Sequence, residues 1–303
     1  MADTPRADVR IDTDLVRELL REQHPDLATL PLRPETDGWD NATLRLGDHL
    51  AVRLPRRRLS ADLVRHEQRW LPSIAALVPC PVPAPVRVGR PTSSFPWAWS
   101  VVPWFEGVSA LSLDGRSRGA AARPLATFLA ALHTPAPAGA PENPYRGVPL
   151  THRDGDVRRR LDAGVVPRAR DLTQVWDAAC AAPVADGPPR WLHGDLHPGN
   201  LVLDTAAPHE LRAVIDFGDV CAGDPATDLA TAWLTFDRSA RDEFRSVVTE
   251  LCDTSRATWR RAAGWAVVVA SALVESSDDH AAYRRLGLAA IDAVLDDAPQ
   301  LFP

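Results

Sequence analysis

The alternation of apolar and polar residues predicts strands in the first third of the chain. Residues 36–54 have the pattern of a strand, a turn at Gly47 and Asp48, and a second strand. Residues 95–102 predict a further strand. The proline-rich stretch 79–91 before it is expected to be extended and to lie at a sheet edge. Apolar residues recur at helical spacing in two segments of the same region. One helix is predicted at residues 12–21, with Asp12 or Thr13 as its N-terminal cap, and another at residues 60–71, with Ser60 as its cap.

Helical spacing of apolar residues dominates the rest of the chain. The exception is a pair of short apolar runs, residues 201–203 and 213–215, which are rich in β-branched side chains and separated by a turn-forming segment. They predict one hairpin between helices. Helices are predicted at residues 117–133, 154–163, 168–182, 225–235, 238–252, 254–276 and 280–295.

The residues best suited to catalysis lie around this predicted hairpin. Asp195 follows His193 and Gly194, Asn200 comes five residues later, and Asp216 follows the second apolar run. Phosphoryl transfer needs a carboxylate that orients and deprotonates a hydroxyl, and oxygen ligands that hold Mg²⁺ on the phosphates. Because the hairpin turns the chain back, Asn200 and Asp216 are expected to lie side by side and to face one cation, with Asp195 as the base.

Two plainer interpretations compete with this one. His193, Asp195 and His197 could instead form a metal cluster, but no further ligand is visible in the pattern. The apolar runs could also be ordinary core strands whose aspartates sit in turns, where Asp is common. Two aspartates at this spacing around an asparagine are uncommon by chance, which favours the catalytic interpretation.

The stretch resembles the aminoglycoside phosphotransferase family, which comprises small-molecule kinases that act on antibiotics, with relatives that act on choline. The family pattern is H-G-D-x-x-x-x-N, then I-D-[FW], then G-D-P-x-x-D-L-A. Several linked motifs in the right order make the resemblance specific, and it extends from about residue 38 to the C-terminus. The matching residues are His193-Gly194-Asp195, Asn200, Ile215-Asp216-Phe217, Gly223-Asp224-Pro225 and Asp228-Leu229-Ala230.

This resemblance implies an α+β, two-lobed fold similar to protein kinases. A β-rich, nucleotide-binding lobe is expected over residues 1–106, and a larger, mainly helical lobe with the catalytic loop and the acceptor pocket over residues 107–303. The length of 303 residues agrees, since single cores usually stop growing near this size.

The resemblance also implies a nucleotide site in the first lobe. In protein kinases a strand lysine holds the phosphates, whereas this chain has Arg53 at the matching position. A guanidinium also binds phosphate, so Arg53 is expected to replace the lysine, with Glu67 on the following helix as its ion-pair partner.

Four further residues are expected to contact the nucleotide. Gly38 and Asn41 belong to the segment expected to cover the phosphates, although it lacks the usual glycine pattern and could be a plain surface turn. The backbone of Val102 and Trp104 is expected to bind the purine edge, as in the family's hinge. The rings of Trp97, Trp99 and Trp104 are more often core residues than adenine platforms.

The remaining matches are expected to support the site. His193 should orient the catalytic loop, and Asp224 and Asp228 should hold it, with Asp224 at a helix start. The acceptor pocket should lie between this loop and the last helices. Its candidate residues are Asp219, Trp233, Asp237, Trp265, Glu275, Asp278 and Asp279.

The amino-acid composition indicates which partners and which cellular compartment to expect. All 34 basic residues are arginine, against 40 acidic residues, and no apolar run reaches membrane-spanning length. Residues 1–105 carry 14 Arg and 13 Asp or Glu, a net +1, which leaves −7 for the rest. This sign argues against a nucleic-acid partner. Four scattered cysteines and a charged start without an apolar segment indicate a cytoplasmic protein. Either a monomer or a homodimer is expected.

The leading hypothesis is an ATP- or GTP-dependent, Mg²⁺-dependent kinase that phosphorylates a hydroxyl of a small molecule. An aminoglycoside-like or other antibiotic is the first expectation, and the negative second lobe would suit a cationic acceptor. The alternatives are a macrolide kinase and a metabolic kinase for choline, a sugar or an amino alcohol. A nucleotide-binding pseudokinase is a different class, which the absent lysine favours and the intact Asp195, Asn200 and Asp216 oppose.

Overall fold

The computed structural model of the protein describes residues 6–35, 38–277 and 280–302. An antiparallel sheet of five strands, in the order β1-β2-β3-β5-β4, occupies the first third of the chain. One helix precedes the sheet strands and one lies between β3 and β4. The elements are α1 (Thr13–Gln23), β1 (Leu32–Pro34), β2 (Asn41–Leu46), β3 (Leu50–Pro55), α2 (Ala61–Ala75), β4 (Arg87–Gly89) and β5 (Trp99–Pro103).

Most of the predicted elements of this part are present. Asp12 caps α1 as predicted, accepting a hydrogen bond from the backbone N–H of Leu15 at 3.0 Å. Ser60 occupies the N-cap position of α2 as predicted, but its hydroxyl donates to Asp40 at 2.5 Å and makes no capping bond. Helix α2 also continues past its predicted end to Ala75.

The rest of the described chain is mainly helical, with short strands in two small sheets. Strands β6, β8 and β9 form one sheet, and β7 pairs with β10 in the other. The elements are β6 (Val108–Ser109), α3 (Ala122–Leu132), α4 (Asp154–Asp162), α5 (Ala169–Cys180), β7 (Arg190–Leu192), β8 (Leu201–Leu203), β9 (Leu211–Val214), β10 (Cys221–Gly223), α6 (Ala226–Leu229), α7 (Thr231–Thr235), α8 (Arg238–Cys252), α9 (Arg256–Ser276) and α10 (Ala281–Leu301).

Boundaries account for most differences from the predicted helices. Helix α3 begins at Ala122, after a short 3₁₀ turn, rather than at residue 117. Helix α10 runs on to Leu301 and includes Pro299 near its end. None of the helices within the described ranges has the length and apolarity needed to cross a membrane.

The hydrophobic side chains form two clusters. The smaller cluster joins α1 to the sheet through buried residues such as Leu19, Val52 and Trp99. The larger one fills the helical part and includes Leu71 and Ile74 from the second half of α2. Helix α2 is therefore anchored in the core of the helical part although it follows the sheet strand β3 in the chain.

The predicted hairpin is present as β8 and β9. Leu201 pairs with Val214, and the backbone N–H of Ile215 donates to the carbonyl of Asn200 at 2.9 Å. Asn200 precedes β8 and Asp216 follows β9. The two predicted metal ligands thus lie at the same end of the hairpin, because antiparallel pairing brings the start of one strand beside the end of the other.

Candidate active site

The catalytic loop, residues 193–200, is held by one buried carboxylate. Asp228 on α6 accepts hydrogen bonds from the backbone N–H groups of His193 at 2.8 Å and Gly194 at 2.9 Å. The ring of His133 lies 3.1 Å from the same side chain, which is fully buried. A buried carboxylate needs such partners to offset its lost hydration. This geometry fits the supporting role predicted for Asp228.

His193 orients the loop through both ring nitrogens. Its Nδ1 accepts from the backbone N–H of Asp195 at 3.2 Å, so Nε2 carries the proton and donates to the carbonyl of Ile215 at 2.9 Å. Gly194 has a φ of 87°, and a Cβ there would lie 2.3 Å from the carbonyl oxygen of Asp219. The loop therefore requires glycine at this position.

Asn200 and Asp216 lie at the same end of the hairpin, next to the loop. The side-chain N–H of Asn200 donates to the carbonyl of Asp195 at 2.8 Å, which leaves the amide oxygen as its other polar atom. Asp216 has a φ of 63°, and its side chain is 54% exposed. An amide oxygen and a carboxylate oxygen are hard ligands of the kind that Mg²⁺ prefers.

Arg53 connects the sheet to this pair. Its Nη1 donates to Glu67 at 2.9 Å and its Nη2 donates to Asp216 at 3.1 Å. The predicted ion pair between Arg53 and Glu67 is therefore present. Burial raises the pKa of Glu67, with Arg53 opposing this. Burial also works against the charge of Arg53, but the two carboxylates together raise the pKa of the guanidinium above its usual value.

A cleft of about 350 Å³ opens between the five-stranded sheet and the hairpin. That volume suits a small-molecule site. Of the predicted nucleotide and metal residues, Glu67 and Asn200 do not line the cleft. The predicted nucleotide and metal residues that line it are Gly38, Asn41, Arg53, Val102, Trp104 and Asp216.

The hinge side of the cleft differs in part from the prediction. The backbone N–H of Trp104 donates to the carbonyl of His49 at 2.7 Å, so this donor is engaged within the protein. The ring of Trp104 lines the cleft, with the Arg45 guanidinium 5.1 Å from the ring centroid. Trp99, by contrast, is fully buried in the core.

Both carboxylate oxygens of Asp195 have a partner. Nη2 of Arg146 donates to Oδ1 at 3.1 Å, and Nε2 of His197 lies 3.5 Å from Oδ2. Burial opposes ionisation of Asp195, but His197 and Arg146 hold its pKa well below the usual range. The side chain remains 31% exposed, so a hydroxyl can reach it.

Three of the residues around Asp195 were missed in the sequence. Asn143 donates to Asp219 at 2.7 Å, and burial together with Asp195 raises the pKa of Asp219. The ring of Tyr283 meets that of His197 edge-on at 5.6 Å. Arg146, Asn143 and Tyr283 belong to no motif, and their separation along the chain from Asp195 leaves no local signal.

Asp224 has the structural contacts expected of it. Its carboxylate accepts from the backbone N–H of Ala226 at 3.1 Å at the start of α6. Arg261 on α9 binds the same carboxylate through two nitrogens, at 2.6 Å and 3.1 Å. This bidentate pair ties the start of α6 to the helical core.

The acceptor candidates separate into two groups. Trp265 borders a cavity of about 10 Å³ that Asp195, Arg146 and His197 also line. Asp219 lies against Gly194 of the catalytic loop. The other candidates make contacts elsewhere or fall outside the described residues.

Three candidates make contacts away from Asp195. Trp233 is 2% exposed, and its indole N–H donates to Asp297 at 3.0 Å, so it is a core residue. Asp237 caps α8, and Glu275 pairs with Arg159 at 2.6 Å. Asp278 and Asp279 lie outside the residues that the structure describes.

The metal-cluster alternative finds no support in the described ranges. They contain no group of three or more His, Cys, Asp or Glu side chains that could hold a metal ion. His197 instead accepts at Nδ1 from the backbone N–H of Gly199 at 2.9 Å. Its position is explained by this local bond and the contact with Asp195.

Comparison with known proteins identifies the family. The sequence model of the phosphotransferase enzyme family matches residues 31–265. The chain belongs to this family. Its enzymes are phosphotransferases, in agreement with the resemblance of the catalytic motifs.

Solved structures share the fold of this phosphotransferase. The GDP complex of wild-type aminoglycoside 2'-phosphotransferase-IIIa is 17% identical with a TM-score of 0.66, covering 95% of this chain and 99% of that one. Macrolide 2'-phosphotransferase MphH from Brachybacterium faecium, as apoenzyme, is 20% identical with a TM-score of 0.61, covering 93% and 98%. The streptomycin–ATP ternary complex of APH(2'')-IIa is 18% identical with a TM-score of 0.58, covering 88% and 91%. The predicted two-lobed, kinase-like α+β fold is confirmed.

Proposed function

We propose that this phosphotransferase moves the γ-phosphoryl group of ATP or GTP to a hydroxyl of a small antibiotic. The observation that carries the proposal is the convergence of Asp195, Asn200 and Asp216 at one end of the hairpin, beside the cleft lined by Arg53. This is the set of groups that phosphoryl transfer requires. Residues 1–106 would then bind the nucleotide and residues 107–303 the acceptor.

In this proposal Asp195 receives the proton of the attacking hydroxyl. Its carboxylate is ionised and partly exposed, and it is hydrogen-bonded to Arg146 and in longer contact with His197. Positioning and electrostatics supply most of the rate in phosphoryl transfer, so a weakly basic carboxylate is sufficient. Arg53, held by Glu67, is proposed to bind the phosphates from the sheet side.

Asn200 and Asp216 would hold Mg²⁺, which neutralises charge on the phosphates when bound. Their donor set fits the ion, because both offer oxygen and the Asn200 amide nitrogen is engaged by the carbonyl of Asp195. Two protein ligands are also the number expected where phosphate oxygens and water complete the shell.

The acceptor class is proposed from the similar structures. Among them are aminoglycoside and macrolide 2'-phosphotransferases, including a streptomycin–ATP complex. A hydroxylated antibiotic of either type is therefore the first candidate. A metabolic kinase for choline, a sugar or an amino alcohol is the alternative, since the catalytic residues would be the same. The cytoplasm is the proposed location.

The decisive experiment is a transfer screen with purified protein. Radiolabelled ATP and GTP are each offered with aminoglycosides, macrolides, choline and amino sugars, with and without Mg²⁺. Mg²⁺-dependent label on an antibiotic supports the proposal. Label on choline or a sugar alone supports the metabolic alternative, and nucleotide binding without transfer or hydrolysis supports the pseudokinase.

A further inference from the structure

A loop that carries no family motif reaches the proposed base. Residues 141–147 lie between α3 and α4, and Arg146 in this loop donates from Nη2 to Oδ1 of Asp195 at 3.1 Å. Its side chain is 24% exposed. The two residues are 49 positions apart in sequence, so their contact is a product of the tertiary fold.

The 141–147 loop is fixed at both ends. The carbonyl of Pro141 accepts a hydrogen bond from the backbone N–H of Ala222 at 2.8 Å. The carbonyl of Gly147 accepts one from the backbone N–H of Asp224 at 3.0 Å. The N–H of Gly147 donates to Thr227 Oγ1 at 3.1 Å. Close backbone contact reinforces this, since a Cβ on Gly147 would lie 2.9 Å from the Cα of Gly223.

The segment that binds the 141–147 loop, residues 222–228, also holds the catalytic loop. Residues 222–228 bind the 141–147 loop through the bonds just described, and Asp228 at their end binds His193 and Gly194. Arg146 and Asp195 are thus presented by two loops that share one support. Their separation is set by this support, since both loops are hydrogen-bonded to its backbone or side chains.

The other oxygen of Asp195 makes a longer contact, with His197. His197 accepts the N–H of Gly199 at Nδ1, at 2.9 Å, so its proton is on Nε2. That nitrogen lies 3.5 Å from Oδ2 of Asp195. The contact with His197, at 3.5 Å, is too long to hold the carboxylate firmly. Rotation of the carboxylate about the Cβ–Cγ bond of Asp195 is therefore fixed by Arg146.

We propose that Arg146 is a positioning residue for Asp195, one that aims the carboxylate at the acceptor hydroxyl. The inference rests on the proposed function and adds to it a residue that the family motifs do not contain. Arg146 lines the small cavity that Asp195 and Trp265 also line, and it does not line the nucleotide cleft. Its removal should therefore lower kcat and leave the nucleotide KM unchanged.

The test compares Arg146→Ala and Arg146→Lys with the wild type. Arg146→Ala should lower kcat about 10- to 100-fold, because a misplaced catalytic group loses rates of this order. The nucleotide KM should stay within about twofold. Arg146→Lys should be intermediate, since an ammonium keeps the charge but not the geometry of the guanidinium. Added guanidinium ion should restore part of the activity of Arg146→Ala but none of that of Arg146→Lys.

A double variant separates positioning from general damage. Arg146→Ala combined with Asp195→Asn should be no slower than Asp195→Asn alone, because residues that act as a unit are not additive. Arg123→Ala, which breaks an exposed ion pair with Glu243, is the matched control and should leave kcat unchanged. A loss in Arg146→Ala that guanidinium does not restore, with a fall in Tm, would overturn the inference in favour of a structural role.

Hydrolysis of the nucleotide is measured alongside transfer to the acceptor. Wild-type protein that hydrolyses ATP or GTP but transfers phosphate to no acceptor would refute the proposed function. In that case the kcat of Arg146→Ala would be compared with that of the wild type for hydrolysis. Unchanged kcat for Arg146→Ala in both reactions would refute the role of Arg146 and leave the proposed function intact.

Discussion

Arg53 donates to Asp216 at 3.1 Å across the cleft. The two residues are 163 positions apart in sequence, one on β3 and the other after β9. The contact joins the sheet to the catalytic hairpin through one guanidinium, whose other nitrogen is held by Glu67. A rigid fork with several donors suits this double attachment, which a lysine could not make in the same geometry.

Arg53→Ala is expected to raise the nucleotide KM or lower kcat, because the cleft loses the cation that is proposed to bind the phosphates and Glu67 is left buried without its partner. Arg53→Lys should recover only part of the loss, since one ammonium does not reproduce both bonds. Steady-state kinetics with varied ATP and GTP measure both effects. Wild-type kinetics in Arg53→Ala would assign phosphate binding to another residue.

Asp195→Asn is expected to reduce transfer by roughly 10²–10⁴-fold, the usual cost of losing a positioned acid or base. Nucleotide binding should be nearly unchanged, because Asp195 does not line the nucleotide cleft. Single-turnover transfer and calorimetric nucleotide titration measure the two properties. The control is Asp177→Asn, which alters an exposed partner of Arg158. Turnover close to the wild-type rate would remove Asp195 from the mechanism.

Asn200→Ala and Asp216→Ala are expected to weaken Mg²⁺-dependent nucleotide binding, since each removes an oxygen ligand at the same end of the hairpin. Titrations with and without Mg²⁺ give the metal-dependent part of the affinity. The variants should approach the affinity that the wild type shows without Mg²⁺. If both keep the full metal dependence, the assignment of these two residues is wrong.

Asp228→Ala is expected to lower the free energy of unfolding by about 3 kcal/mol, because it leaves two buried N–H groups of the catalytic loop without their acceptor. Asp177→Ala removes an exposed carboxylate and should change stability by less than about 1 kcal/mol. Urea denaturation measures both. Equal stability of the two variants would mean that Asp228 does not anchor the loop.

A cationic acceptor is expected to show a KM that rises with salt. Residues 106–303 carry a net −7, and a cleft lined with one sign of charge concentrates the opposite charge. Many of these carboxylates are paired with arginine, as in Asp297 with Arg241, so the effect should be smaller than the net charge alone suggests. Screening acts beyond roughly 8–10 Å at physiological ionic strength.

The measurement compares an aminoglycoside with a macrolide at several salt concentrations. A salt-dependent KM for the aminoglycoside and a salt-independent one for the macrolide would agree with electrostatic attraction. Turnover restricted to neutral or anionic acceptors, with a KM indifferent to salt, would contradict it and favour the macrolide or metabolic function.

The local arrangement of the site was predictable from the sequence. Asn200 and Asp216 flank two short β-branched runs, and a hairpin is the simplest way to connect them, so their proximity follows from spacing. The pair between Arg53 and Glu67 was predictable only through the resemblance to kinases. In each case a motif or a short-range pattern carried the information.

Contacts between distant segments were not predictable. The approach of Arg146 to Asp195 depends on how β10 and α6 hold two loops, which no local pattern encodes. The predictions of acceptor-binding residues were the least accurate. A tryptophan or aspartate on a helix gives the same sequence pattern whether it packs in the core or faces a cleft. Trp233 is an example, since its indole N–H satisfies the buried Asp297. Ser60 shows the same limit, with Asp40 competing for its hydroxyl.

Helix α2 carries Glu67 but ends in the larger hydrophobic cluster, through Leu71 and Ile74. The chain just beyond it is bonded to the catalytic hairpin, since the carbonyl of Pro81 accepts from the N–H of Val214 at 3.1 Å. A swing of α2 that withdrew Glu67 from Arg53 would have to break this core. We therefore expect no on–off switch at this helix. Freshly folded protein should therefore be competent without a modification that repositions this helix.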